Sequence, residues 1–183
     1  VRIVYSPLDA LRLAEENPEH EVVFVGVGFE TTTPGAALTV KKAAEEGVKN
    51  YSILTANKTM PNAYQALKGS ADAFLYPGHV NAITGEEDCR KLALEDGVSG
   101  VIAGFTAKEL MTALAVTIRN CEKGEPFFVN CYPRVVTPEG SVPAKKLIDE
   151  VMEPCDSIWR GLGNIPMSGL KLREEYRKYD AAV

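Results

Sequence analysis

Residues 22–34, VVFVGVGFETTTP, constrain the fold of this chain more than any other stretch. Residues 22–27 are a short unbroken apolar run, the pattern of a strand buried on both faces of a parallel sheet. The run stops at Gly28. Thr33 reads as an N-cap and Pro34 as the first helical residue, opening a helix over residues 35–46. Between strand and helix, Gly28-Phe-Glu-Thr-Thr-Thr sets a carboxylate and three hydroxyls at the strand's carboxyl end, beside a helix N-terminus with unpaired N–H groups. Ligands of open α/β sheets bind at such a place.

The rest of the chain repeats the alternation. Residues 2–5 read as a strand, and Ser6-Pro7 caps a helix carrying an apolar stripe of Leu8, Leu11 and Ala14. Further strands are expected at 51–56, 73–76, 100–103 and 127–136, with Pro133 marking an edge or bulge in the last. Helices are expected at 61–68, 86–95, 107–123 and 143–153. Thr106 and Glu109 stand in the S/T-x-x-E relation of a capping box. Residues 156–170, rich in Gly and Pro, read as irregular, and 172–179 as a terminal helix. Strands alternating with helices predict an α/β fold: a mostly parallel sheet of about five strands with helices on both faces, a Rossmann-like three-layer domain.

At 183 residues the chain reads as a single domain, 1–183, able to bury ~70% of its unfolded surface. A net charge of −5 argues against a nucleic-acid surface. No apolar run approaches the ~18 residues of a membrane span. With no charged-then-apolar leader at its start, the expected location is cytoplasmic. Cys89, Cys121, Cys131 and Cys155 form no C-x-x-C pair, so each reads as a reduced buried thiol and no metal ligand is assigned.

In a parallel sheet the loops after Gly28, Ala56, Tyr76 and Ala103 share one edge. Glu30, Thr31, Thr32, Asn57, His79 and Thr106 are therefore expected around one crevice. N-capping accounts for Thr33 completely, whereas Glu30 and Thr31 are not needed to turn the chain. His79, after a tight Pro-Gly exit, is either a ligand or proton carrier or a satisfied turn residue. Gly26-Val-Gly28 lacks the third glycine of a dinucleotide fingerprint, and no Walker A or G-x-S-x-G sequence occurs. Trp159-Arg160 opens a Gly-rich string whose arginine can stack or pair with anions, or simply pack between domains.

Several ordered motifs together resemble the HypD family. They are Gly28-Phe-Glu-Thr-Thr-Thr-Pro34, Pro77-Gly-His-Val80, Val101-Ile-Ala-Gly-Phe105, Tyr132-Pro-Arg-Val-Val136, Trp159-Arg-Gly-Leu-Gly163 and Ile165-Pro-Met-Ser-Gly-Leu170. The resemblance extends from Val4-Tyr-Ser-Pro-Leu-Asp-Ala10 to Leu172-Arg-Glu-Glu-Tyr176 and so covers nearly the whole chain. It implies a scaffold for assembling the iron of nickel–iron hydrogenase with its two cyanides and one carbon monoxide, rather than a turnover enzyme. It implies work with a HypC-type chaperone and a HypE-type cyanide donor, and a 4Fe-4S cluster in the family. By analogy Glu30, Thr31, Thr32 and His79 are the cleft positions, and Trp159 and Arg160 a partner or domain contact. The family's cysteine motifs are absent here, and Asn57, Asn81 and Cys131 replace a common histidine, serine and glutamine. The expectation is the central part of a longer protein, with residues 154–183 packing on a neighbouring domain. The competing expectation is a stand-alone α/β protein that binds a small anionic metabolite or nucleotide at the crevice.

Overall fold

Ser6 starts the first helix, its hydroxyl accepting from the Leu8 N–H at 3.2 Å, and α1 (Pro7–Glu16) buries Ala10, Leu11 and Ala14. Strand β1 (Val22–Gly28) follows, then α2 (Thr33–Glu46), which ends at a left-handed Gly47, and β2 (Tyr51–Asn57). β1 and β2 pair in parallel from Val22↔Tyr51 to Gly28↔Asn57, with α2 as the crossover that parallel neighbours require. Ala36, Ala37, Val40 and Ala43 of α2 pack with Tyr51 and Ile53 of β2, their small side chains letting the helix lie close to the strands. Tyr51 donates to Thr39 Oγ1 at 2.8 Å and Thr39 to the Ala36 carbonyl at 2.8 Å, so the buried hydroxyls are satisfied.

The computed structural model describes residues 1–183 and divides them into two units, Val1–Thr59 with Pro143–Val183, and Met60–Val142. The first unit is completed by α7 (Val142–Val151), the antiparallel strands β6 (Met152–Trp159) and β7 (Gly163–Leu172), and a 3-10 helix (Glu174–Tyr179). The hairpin is tied to the end of β2: Lys58 bridges Gly169, and the Thr59 N–H donates to the Ser168 carbonyl at 2.9 Å. Val151, Met152, Leu170, Leu172 and Tyr179 join the core of α1 and α2.

The second unit contains α3 (Pro61–Ala66), β3 (Phe74–Pro77), α4 (Gly78–Thr84), α5 (Glu87–Leu94), β4 (Gly100–Ala103), α6 (Ala107–Cys121) and β5 (Phe128–Asn130). β4 lies between β3 and β5, parallel to both, and all its residues are buried. Alternation splits it between two faces. Ile102 packs with Tyr64, Tyr76, Cys89 and Leu92, while Val101 and Ala103 pack with Ala113 of α6 and Phe127.

The fold is therefore mixed α/β with parallel sheets, but not one five-stranded sheet: the sheets have two, three and two strands. β1 is buried on one face only, since Val23, Val25 and Val27 are 50, 57 and 68% exposed opposite the helices. Residues 2–5 form no strand, and the strand expected at 127–136 shortens to β5, because Tyr132, Pro133 and Arg134 turn the chain. The segment read as irregular is the β6–β7 hairpin, and the expected last helix is the 3-10 turn. No helix is long and apolar enough to cross a membrane.

Candidate functional site

In the first unit the loop between β1 and α2 is built on one carbonyl. Phe29 O accepts from the Thr32 N–H at 3.0 Å, the Thr33 N–H at 3.3 Å, Thr32 Oγ1 at 3.1 Å and Thr33 Oγ1 at 2.9 Å. The N-cap is Thr32, not Thr33, and it caps no N–H with its side chain, its backbone (φ −100°, ψ −19°) being helical rather than extended, while its hydroxyl donates back to Phe29. Asn57 at the end of β2 is 2% exposed and directs Nδ2 toward Thr32 Oγ1 at 3.5 Å. Thr31 is exposed and its hydroxyl makes no hydrogen bond with the protein. Glu30 beside it is 4% exposed. Thr31, Thr32 and Asn57 line a cavity of about 320 Å³ together with Tyr5, Ser6 and Gly26. Of the loop hydroxyls, that of Thr31 is the one left for a ligand.

Trp159 belongs to the same unit. Its ring lies 6.0 Å from Phe29, its indole N–H donates to Ser168 Oγ at 2.7 Å, and the Lys58 ammonium sits 5.3 Å from its centroid. Lys58 Nζ also donates to Ser157 Oγ at 2.6 Å and to the Ile158 carbonyl at 2.7 Å. Trp159 thus braces the residue before Glu30, while Arg160 is exposed in the turn of the hairpin.

In the second unit Pro77-Gly78 starts a helix rather than a loop, and His79 is an exposed residue of its first turn. Its ring stacks on Phe105, with centroids 3.9 Å apart and planes at 22°. Phe105 in turn meets the edge of Tyr132 at 6.4 Å, and Arg134 lies over Tyr132 at 4.8 Å. Glu109 ties these together. Its Oε2 accepts from the N–H groups of Phe105 and Thr106, each at 3.0 Å, and from Thr106 Oγ1 at 2.9 Å. Its Oε1 accepts from Arg134 Nε at 2.9 Å and Nη2 at 2.7 Å. The expected residues thus fall in two groups, Glu30, Thr31, Thr32 and Asn57 in the first unit and His79 and Thr106 in the second. Phe105, Tyr132 and Arg134 carry no assignable role in the sequence alone, although all three stand in the stretches 101–105 and 132–136.

A family model described as "Hydrogenase formation hypA family", named HypD, matches residues 1–183. The chain belongs to the HypD family. It is 41% identical to the hydrogenase maturation factor HypD of Rhodobacter capsulatus over 186 residues, covering 99% of this chain and 49% of that one. It is 38% identical to HypD2 of Bradyrhizobium diazoefficiens, with 100% of this chain and 51% of the relative covered. Against HypD of Escherichia coli it is 38% identical, with 99% and 50% covered. The chain spans about half the length of these curated relatives.

Gly104-Phe105 and Tyr132-Pro-Arg134 meet through Glu109. The backbone donors at Thr106, and then Arg134, hold the Glu109 carboxyl down to about 2, below its ordinary 4.5. A depressed carboxyl stabilises the fold above its unfolded pKa, and that contribution is lost as pH falls from about 4.5 through about 2. An NMR titration is expected to put the Glu109 midpoint near 2. In Arg134→Gln it rises yet stays below the ordinary value, because the Thr106 donors remain. An ordinary midpoint in the unaltered chain would contradict the bracing described.

A four-cysteine cluster does not fit these residues. No three His, Cys, Asp or Glu side chains come together as a metal-binding group. Burial also pushes the Cys131 and Cys155 thiols up.

Proposed function

We propose that these residues are the part of a HypD-type maturation factor that helps hold iron, with two cyanides and one carbon monoxide, as cargo destined for nickel–iron hydrogenase. The observation that carries this reading is the exposed, unbonded Thr31 hydroxyl on a loop locked from behind by Thr32 and Thr33. Cyanide nitrogens bound to iron are acceptors, and a hydroxyl on a rigid turn is a pre-organised donor for them. His79, in the second unit, offers a donor or a proton carrier of its own. Thr32 and Asn57 hold the turn, and Glu30 contributes a buried carboxylate. Thiolate ligands to the iron, and any 4Fe-4S cluster, come from cysteines other than the four here. Trp159 and Arg160 face a partner or a neighbouring domain. The pathway partners are a HypC-type chaperone and a HypE-type cyanide donor, in the cytoplasm. The chain turns over nothing alone.

The test is hydrogenase activity in cells whose only HypD is the full-length protein carrying a variant. Thr31→Ala and His79→Ala are each expected to lower activity at least tenfold. Both side chains are exposed, so folding stability is expected to change by less than about 0.5 kcal/mol in Thr31→Ala and by no more than about 1.5 kcal/mol in His79→Ala, which loses the stack on Phe105. Thr31→Ser should restore activity. Normal activity in both alanine variants would remove the assignment.

A further inference from the structure

We propose that Phe105 is the positioning residue for His79, setting the plane of its imidazole so that both ring nitrogens point out toward a ligand. The inference rests on the role given to His79 above and adds how that role is prepared. A stacked imidazole uses its face for packing and leaves Nδ1 and Nε2 at its edge. His79 does this: its face covers Phe105, and neither nitrogen bonds to the protein. A histidine whose only task was to end β3 would have no need of an aromatic platform.

The platform is itself held in place. Glu109 fixes the Phe105 backbone, Tyr132 meets its ring, and Arg134 joins Tyr132 to Glu109. Phe105 remains 51% exposed. A large apolar ring left half in water, with its backbone bonded to a carboxylate, is poorly explained by core packing. It is well explained by a flat support under a working side chain. An imidazole free to turn about χ1 and χ2 would spread its nitrogens over several directions, and fixing it beforehand removes that cost from ligand binding.

The experiment uses Phe105→Leu, which keeps apolar bulk but loses the ring, and Phe105→Tyr, which keeps the ring. The first readout is the proton spectrum of the histidine rings in the chain. Only His20 and His79 are present, so His79→Ala assigns the signals. Stacking predicts His79 ring protons shifted upfield in the unaltered chain and in Phe105→Tyr, with most of that shift gone in Phe105→Leu. The second readout is hydrogenase activity supported by the full-length protein. Phe105→Leu is expected to lower it about fivefold to tenfold and Phe105→Tyr to restore it. Full activity of Phe105→Leu together with an inactive His79→Ala would overturn the positioning role and leave the function of His79 intact. Full activity of His79→Ala would remove the role of His79 and this inference with it. Absence of an upfield shift in the unaltered chain would overturn the stack itself.

Discussion

Gly28→Ala is expected to lower the stability of the unit containing β1 and α2 by about 2–4 kcal/mol. Gly28 has φ +156°, in a region that residues with a Cβ rarely enter. A Cβ there would also overlap the Thr32 hydroxyl. Thr32 cannot turn aside without giving up its bond to the Phe29 carbonyl and its approach to Asn57. Backbone strain of roughly 1–3 kcal/mol and one displaced hydrogen bond of about 1 kcal/mol add to the stated range. Urea unfolding followed by a probe in the first unit measures it. A change below about 0.5 kcal/mol, the ordinary level for a surface substitution, would mean that the turn is not held as described.

Gly78→Ala should also destabilise, by up to about 2 kcal/mol net, and its sign opposes helix propensity. Within α4 an alanine would be favoured over glycine by about 1 kcal/mol if only the helix mattered. The new Cβ would lie 2.5 Å from Tyr132 Cδ1 and 2.6 Å from the Ala103 carbonyl oxygen. Tyr132 is pinned between Phe105 and Arg134, and the carbonyl belongs to the central strand, so neither can withdraw freely. Overpacking of this kind costs roughly 1–3 kcal/mol, leaving a net loss. The displaced Tyr132 would also shift Phe105, so the His79 ring signals should move. A stabilised Gly78→Ala protein would refute the close packing.

What could be read from the sequence was local. The Thr106–Glu109 capping box is present with both of its hydrogen bonds. β1, β2 and β4 also stand where apolar runs placed them. Strand partners are not a local property, and the division into separate sheets lay outside the reach of periodicity. The β6–β7 hairpin was hidden for a different reason. Its exposed positions include Ile158, while Cys155 and Ser157 are half-buried, Ser157 receiving Lys58, so the usual apolar-in alternation is inverted. Pro154 and Pro166 within the strands completed the disguise.

The site followed the same division. Glu30, Thr31, Thr32 and His79 became candidates because strand-end loops advertise themselves by residue type. The separation of Thr31 from Thr32 and Thr33 was not visible, since it depends on which hydroxyls bond to Phe29. Phe105 could not be linked to His79 either, because the stack joins residues from different loops. Thr33 shows how a sound local rule gave way: the helix starts one residue earlier than expected, so Thr33 lies inside it and Thr32 takes the N-cap position.

On the proposed reading, this region of a HypD-type protein holds iron carrying cyanide and carbon monoxide. Infrared spectroscopy of the full-length protein, purified without oxygen from cells making hydrogenase, tests it most directly. Stretching bands of iron-bound cyanide and carbonyl are expected, and they should weaken severely in Thr31→Ala and His79→Ala. Bands of undiminished intensity in both variants, or none in a preparation that still matures hydrogenase, would contradict it.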